Sequence, residues 1–467
     1  MDESSIRVAP EVRATERVVV RGNSKMARWV GGLALFSAAC WLIAAAIAHG
    51  YNRVGGHATG RLEWSLTVLA AVALIARGIF LGRPVTARHA TASVIALIAG
   101  VGAHVLSFDL LGDVLVVGSG QALMWPTSAR PRPGDLPRVW ALINATSGDP
   151  LAPFAMLTGK CYHFSADGAA VLAYRTRIGY AVVSADPLGD ERQFAALVAD
   201  FAAMCHTRGW RLVVLGCSER RLKLWDDPAV LGHSLRPIPI GRDVVVDVPN
   251  FEMVGRPFRN LRQAVQRTHN CGITTEIVAE QALGNDRLVE LADVVRASPS
   301  GANADRGFSM NLDGVLEGRY PGVQLIIARD AHGRVQGFHR YAVAGGGSDV
   351  SLDVPWRRPG APNGLDERLS VDMIRAVQGA GAQRLSLAFA AFPEIFDEKQ
   401  RSRTQTVVYQ LIHLLDPLIA LESLYRYLRK FQALGDRRYV LVNLTPLLPL
   451  VYVLLTLEFM PRRRHLP

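Results

Sequence analysis

Cysteine is scarce in this sequence. Cys40, Cys161, Cys205, Cys217 and Cys271 are scattered through 467 positions, and no two form a C-x-x-C pair. An odd, dispersed set argues against a disulfide framework and against a tetrahedral zinc site, so no metal is expected. It suits a reducing compartment for whatever part of the chain is soluble. Also missing are a P-loop, H-E-x-x-H, the G-x-S-x-G elbow and a dinucleotide fingerprint. Gly345–Ser348 reads GGGS, but no phosphate-binding helix follows it, so a hairpin loop is expected there. Nucleotide, zinc-hydrolase and serine-hydrolase chemistries lose support, and no cofactor is expected. Acid is short relative to base: 41 Asp and Glu against 52 Lys and Arg, a net charge of +11 and a pI near 9.7. That excess favours anionic partners, lipid headgroups or nucleic acid, although positive flanks on membrane spans would produce it too.

Apolar residues are plentiful, at 49% with a mean hydropathy of +0.16, and concentrate before residue 126 and after residue 438. Residues 1–25 form a polar leader carrying Arg7, Arg13, Arg17, Arg21 and Lys25, expected on the cytoplasmic side. A transmembrane region of about four spans is expected over 26–126: Val30–His49, Leu62–Leu81, about Ala90–Phe108, and Leu110–Trp125. The fourth is short and carries Asp113. Four spans return the chain to the cytoplasm; three would leave the remainder outside, away from tRNA and nucleotide cofactors. A cleaved signal ending near AAAIAHG competes for the first segment, but the polar leader is long for that.

Residues 127–149, containing SARPRPGDLP, read as a linker. An α/β pattern follows. A hairpin turns at Asp167-Gly168, GYAVVSADP makes a third strand, RQFAALVADFAAMCHTRGW has helical spacing, and RLVVLGC reads as a buried strand. The second half repeats the order with VQLIIARD-AHGR-VQGFHRYAV, SDVSLDV, LDERLSVDMIRAVQGAGA and RLSLAFA. Two β-β-β-α-β units point to a duplicated module, at 150–300 and at 301–460, the second with a basic C-terminal tail. Three antiparallel strands, a helix and a parallel strand is also how N-acetyltransferase-like folds are built. The expected class is α/β (α+β): N-terminal transmembrane helices, then two tandem N-acetyltransferase-like domains. Near the end, YVLVNLTPLLPLVYVLLTLEFM is either a further span or a buried strand plus a membrane-apposed helix, with Pro446 and Pro449 interrupting it.

Candidate functional residues come from charge in unusual places. PFRNLRQAVQRTHNCG is an amphipathic helix whose Arg259, Arg262 and Arg267 form a cationic ridge, fit for phosphate or for plain solvation. Asp353 lies at the end of the apolar strand VSLDV, where an acid is costly unless paired or facing a cleft; Arg357 is the nearby partner in sequence. Asn363, Asp366 and Glu367 suit the start of the following helix. His339, on the strand before, is a candidate general base.

These blocks resemble a known family. Leu157–Gly189 is similar to the opening of the catalytic domain of aminoacyl-phosphatidylglycerol synthases, also called multiple peptide resistance factors. GFSMNLD, SLDV…APNGLDE and RLSLAFAAF resemble later blocks, especially those of actinobacterial lysyl-phosphatidylglycerol synthases, and LYRYLRKF with RRY resembles the terminal block. The resemblance implies an enzyme of the bacterial inner membrane, multi-pass, with its catalytic domain in the cytoplasm. It would carry a lysyl- or alanyl-type group from aminoacyl-tRNA, a co-substrate rather than a cofactor, to a lipid hydroxyl such as that of phosphatidylglycerol. It implies that Asp353 binds the donor amine or orients a proton relay, that Glu367 supports it, and that Lys430 and Arg438 match basic positions of the terminal block. There are departures: Trp356 stands where the family has an arginine, with Arg357 one step on, and Ala388 replaces an amide. Two alternatives remain on the sequence: an acyl-coenzyme A-dependent transferase, which lacks its Q/R-x-x-G-x-G/A loop here, and a catalytically degenerate membrane scaffold.

Overall fold

The computed structural model describes residues 18–20, 25–51, 58–298, 311–391 and 424–443, with single positions between 450 and 457. Leader residues 1–17 and 21–24, GFSM of the GFSMNLD block, residues 392–423, both tail prolines and the final basic run lie outside the described residues. The chain divides into two units, one of Met1–Ala129 with Thr176–Ala181 and Asp200–Leu212, the other of Arg130–Arg175, Val182–Ala199 and Val213–Pro467.

In the first unit, β1 (Val18–Val20) pairs antiparallel with β2 (Val85–Thr86), and four helices fall where the four apolar segments were expected: α1 (Lys25–Tyr51), α2 (Ala58–Phe80), α3 (Ala87–Val105) and α4 (Asp109–Leu123). Small residues let them approach. A Cβ on Gly120 of α4 would lie 2.7 Å from the Ala71 carbonyl of α2, and one on Gly100 of α3 would lie 3.1 Å from the Gly112 carbonyl of α4. Asp113 is held within the bundle. Its Oδ1 accepts from Thr67 Oγ1 at 2.9 Å and lies 3.3 Å from His104 Nε2. The expectation of about four spans is not carried at every helix. Among the described residues only Glu63–Phe80, at 18 residues and mean hydropathy 1.6, is long and apolar enough to cross a bilayer; Gly31–Ala44 is apolar but shorter. Helix α4 has 15 residues, roughly 22 Å against about 30 Å of hydrocarbon.

From residue 130 on, the described chain is organised around one mixed sheet, most of it in the second unit. After α5 (Leu136–Ala145) come β3 (Cys161–Phe164), β4 (Ala170–Arg177), β5 (Tyr180–Ser184), the short β6 (Leu188–Gly189), α6 (Phe194–Arg208) and β7 (Arg211–Ser218). Next are α7 (Pro228–Leu231), β8 (Arg236–Asp247), α8 (Arg259–Asn270), β9 (Thr274–Ala279) and α9 (Asn285–Ala297). The second repeat is β10 (Val323–Arg329), β11 (Val335–Ala344), β12 (Asp349–Arg357), α10 (Leu365–Gly379) and β13 (Arg384–Ala391), and β14 (Leu434–Val442) closes the set. The strand order is β3-β4-β5-β7-β14-β8-β13-β12-β11-β10-β9, with β6 on β4. The two β-β-β-α-β runs therefore share one sheet, with β14 and β8 between them. Of the two readings of the tail, Leu434–Val442 is the strand.

Apolar alternation sets two faces. On one, Leu261 and Val265 of α8 and Leu365, Leu369 and Ile374 of α10 pack against Val244, Val246, Leu385 and Leu352. On the other, Leu291, Val294 and Val295 of α9 pack against Leu325, Ile327, Phe338, Val354 and Trp356. Leu352 and Val354 would share a face in a regular strand. They do not, because Arg340 pairs with Val354 while Tyr341 pairs with Leu352, which leaves Asp353 as an extra residue in a bulge. The parallel ladder between β12 and β13 runs only from Asp349–Ser351 to Arg384–Ser386 and then stops.

Candidate active site

A cleft of about 170 Å³ sits at the middle of the sheet, beside the short β12–β13 ladder. Arg438 of β14 forms its floor. Its Nε donates to Asp243 Oδ2 at 2.8 Å, its Nη2 to Asp149 Oδ1 at 2.7 Å and its Nη1 to Gly216 O at 3.0 Å, and Nη1 lies 3.4 Å from Asp186 Oδ2. All four side chains are buried, with three carboxylates around one guanidinium. Burial pushes the Asp243 carboxyl up to about 6 against the pull of Arg438, and burial raises Asp186 as well. Charges this deep persist only as a set, because each alone would face a large desolvation cost. Of the expected residues, Arg438 thus reaches the cleft, as a buried ion-pair hub rather than as a surface base.

Asp353 lies elsewhere on the sheet and is wholly enclosed. Its Oδ2 accepts from Arg340 Nη1 at 2.8 Å, its Oδ1 from the Leu312 amide at 2.8 Å, and Arg340 Nη2 also reaches Glu280 Oε2 at 2.8 Å. Burial pushes Asp353 up to about 6, opposed first by Arg340. The expected Asp353–Arg357 pair does not form. The bulge aims Asp353 across the strand pair toward Arg340, whereas Arg357 is half exposed and lies 3.4 Å from Asp366.

The remaining candidates gather around the first turn of α10. His339 Nε2 lies 3.2 Å from Asp366 Oδ1, and Nδ1 lies 3.4 Å from Tyr341 Oη and 3.5 Å from Ser370 Oγ. Ser370 Oγ is 2.5 Å from Tyr427 Oη. Burial works against the Asp366 charge, but the His339 hydrogen bond, Arg357 and Lys430 hold its carboxyl below the ordinary range. Glu367 is paired with Lys430 across the chain. His339, Arg357, Glu367 and Lys430 therefore meet in one polar cluster under α10. His339 is fully buried in it, so the imidazole is orientated by Asp366 but closed to bulk solvent.

Arg259, Arg262 and Arg267 are exposed on α8, and Leu261, Ala264, Val265 and Thr268 are buried beneath them, as the amphipathic spacing requires. Arg262 is partly committed, since its Nη1 donates to the Met253 and Gly255 carbonyls at 2.7 and 2.8 Å. Sequence reasoning missed Asp149, Asp186, Asp243, Glu280 and Arg340. Their signal was present: Arg340 in FHRYAV and Asp243 in RDVVV are charges inside apolar strands, and such charges need partners from distant strands.

The phosphatidylglycerol lysyltransferase C-terminal family model matches residues 140–442. The chain is 72% identical over 462 residues to the MprF-like domain protein Rv1619 of Mycobacterium tuberculosis, covering 99% of this chain and 95% of that one. It is 28% identical over 298 residues to the lysylphosphatidylglycerol biosynthesis bifunctional protein LysX of Rhodococcus jostii, spanning 62% of this chain but only 26% of that protein. Among solved structures, L-PGS from Bacillus licheniformis superposes with a TM-score of 0.57 at 19% identity, over 71% of this chain and 98% of that one. The C-terminal domain of a lysylphosphatidylglycerol synthetase-type protein from Agrobacterium fabrum gives 0.59 at 21%, over 71% and 99%. At those identities the structures share the fold. The matched span runs from α5 to the end of β14 and takes in every strand around the cleft, so the chain belongs to the phosphatidylglycerol lysyltransferase C-terminal family.

Proposed function

We propose that this aminoacyltransferase moves an aminoacyl group, lysyl or alanyl in type, from aminoacyl-tRNA to a lipid hydroxyl such as that of phosphatidylglycerol, and does so at the sheet-centre cleft. The observation that carries the reading is the cleft's chemistry: Arg220, Arg384 and Arg438 line it together with Asp243, Asp349 and Asp436. An aminoacyl ester is already activated, so the protein has to position two substrates and move one proton. The hydroxyl oxygen attacks the ester carbonyl, its proton leaves, and the nucleoside hydroxyl departs with a proton. Arg259, Arg267 and, in part, Arg262 extend a cationic track suited to the tRNA backbone. Asp353 with Arg340, and the buried His339–Asp366 pair, act as positioning residues that hold β11, β12 and α10 in register.

The apolar side chains facing outward from α1 to α4, among them Leu33, Phe36, Trp41, Ile95, Ile98 and Leu110, suit contact with lipid, and we place the protein at the bacterial inner membrane with the sheet in the cytoplasm. No cofactor enters this scheme. Incubating the full chain with charged tRNA and phosphatidylglycerol vesicles should produce an aminoacylated lipid, and ribonuclease should abolish it. Product that survives ribonuclease but requires an acyl-coenzyme A would replace this reading with the thioester one.

A further inference from the structure

The mouth of the same cleft holds two arginines that this scheme leaves without a task. Arg384 is anchored by Asp349: Nε donates to Oδ1 at 2.6 Å and Nη2 to Oδ2 at 3.3 Å. The backbone anchors Arg220, whose Nη2 donates to the Gly148 carbonyl at 2.7 Å. These bonds fix both guanidiniums and leave Nη1 of each with no hydrogen-bond partner among the described residues. Between them lies Gly148, at φ +76°. A Cβ there would stand 3.4 Å from Arg220 Nη1 and 3.6 Å from Arg384 Nη2. The two guanidiniums therefore flank one space that the absent side chain keeps open.

Two forks of like charge, each anchored from behind, form a preorganised receptor for a tetrahedral oxyanion. The same cleft carries the opposite charge. Asp243 and Asp436 line it, and behind Asp243 the buried Asp149 keeps Oδ2 without a hydrogen bond among the described residues. A ligand with a phosphate at one end and an ammonium at the other satisfies both regions. The aminoacylated 3′ end of a tRNA is such a ligand, with the terminal phosphate beside the esterified ribose. Phosphatidylglycerol offers the phosphate but has no ammonium. We propose that Arg220 and Arg384 form a clamp for the terminal phosphate of the aminoacylated nucleotide, and that its amino group meets the acidic side of the cleft. This rests on the aminoacyl-tRNA reading and adds the residues that seat the donor.

The test is binding by the full chain in detergent. The probes are a lysyl-adenosine analogue with an amide in place of the ester, prepared with and without its 5′-phosphate, and short-chain phosphatidylglycerol as competitor. The wild type should prefer the phosphorylated analogue by about tenfold, the scale of one or two charge-assisted hydrogen bonds. Arg220→Ala should bring that ratio close to one without weakening the unphosphorylated analogue. Arg384→Lys, which keeps a cation on Asp349 and so protects the fold, should reduce the ratio as well. An unchanged ratio in both variants overturns the clamp. So does phosphatidylglycerol that displaces the analogue and loses affinity in Arg220→Ala, since the mouth then belongs to the acceptor lipid. Turnover of charged tRNA is measured on the same preparations. A wild type that makes no aminoacyl lipid yet keeps the phosphate preference removes the proposed reaction and leaves the clamp standing.

Discussion

At the scale of single residues, the lesson of this chain is how buried charge is shared. Asp353 and Glu280 share Arg340, and Asp149, Asp186 and Asp243 share Arg438. Each guanidinium is outnumbered, which is why burial prevails and Asp353 and Asp243 are both pushed up to about 6. For Asp353 the consequence for stability has a definite sign. The folded state holds its proton up to about pH 6, the unfolded chain only to about the ordinary 3.8. Between those values the native state binds more protons, so stability falls as pH rises through the window and is flat above it. Urea titrations of the wild type and Asp353→Asn at pH 4 to 7 should show the wild type losing ground to the variant as pH rises toward 6. A constant gap across that range would show that Asp353 does not titrate there. Removing the cation is harsher. Arg438→Leu strands three carboxylates, and about 3–5 kcal/mol of unfolding free energy should be lost at neutral pH.

At the scale of elements, one close contact decides whether α8 and α10 hold the polar cluster in place. Gly364 caps α10 at φ +101°, and a Cβ there would come within 2.7 Å of the Ala264 carbonyl on α8. Gly364→Ala has to strain a left-handed residue and push the helices apart. It should lower the melting temperature by several degrees, an effect of about 1–3 kcal/mol. Helix α8 makes a second prediction. Replacing Arg259 and Arg267 together with alanine should weaken tRNA binding and lower the slope of log K against log salt by about two, with little change in melting temperature. Arg262→Ala should in addition loosen the 253–255 loop, whose carbonyls it holds. The ridge on α8 was legible because 3.6-residue periodicity is local. Both repeats were legible for the same reason. The partner of Asp353 was not, because Arg357 is close in sequence while Arg340 is close in space, and a bulge decides which one the acid meets.

At the scale of the whole molecule, α/β class and duplicated order could be read directly, yet the sharing of one sheet could not. Strand β8 has only patchy alternation, with Pro237, Pro239 and Gly241 in its first half, and β14 lies in a stretch whose apolar character also suited a membrane span. Long-range pairing decided both: β14 is antiparallel to β7 through Arg438↔Ser218 and to β8 through Arg438↔Gly241. The cleft exists because those strands meet, so no local pattern could announce it. This wiring also sets an order of assembly. Strand β14 comes from residues 434–442, and β7 and β8 are neighbours only through it. During synthesis both wait with open edges until residues 434–442 have emerged, and Arg438 arrives after the three acids are already in place. A chain stopped before Leu434 should therefore keep helices α1 to α4 but aggregate, which sedimentation of the truncated protein beside the full-length one would reveal. The final strand of the sheet is the keystone of the ribosome's work here, and a stop codon just before Leu434 removes it.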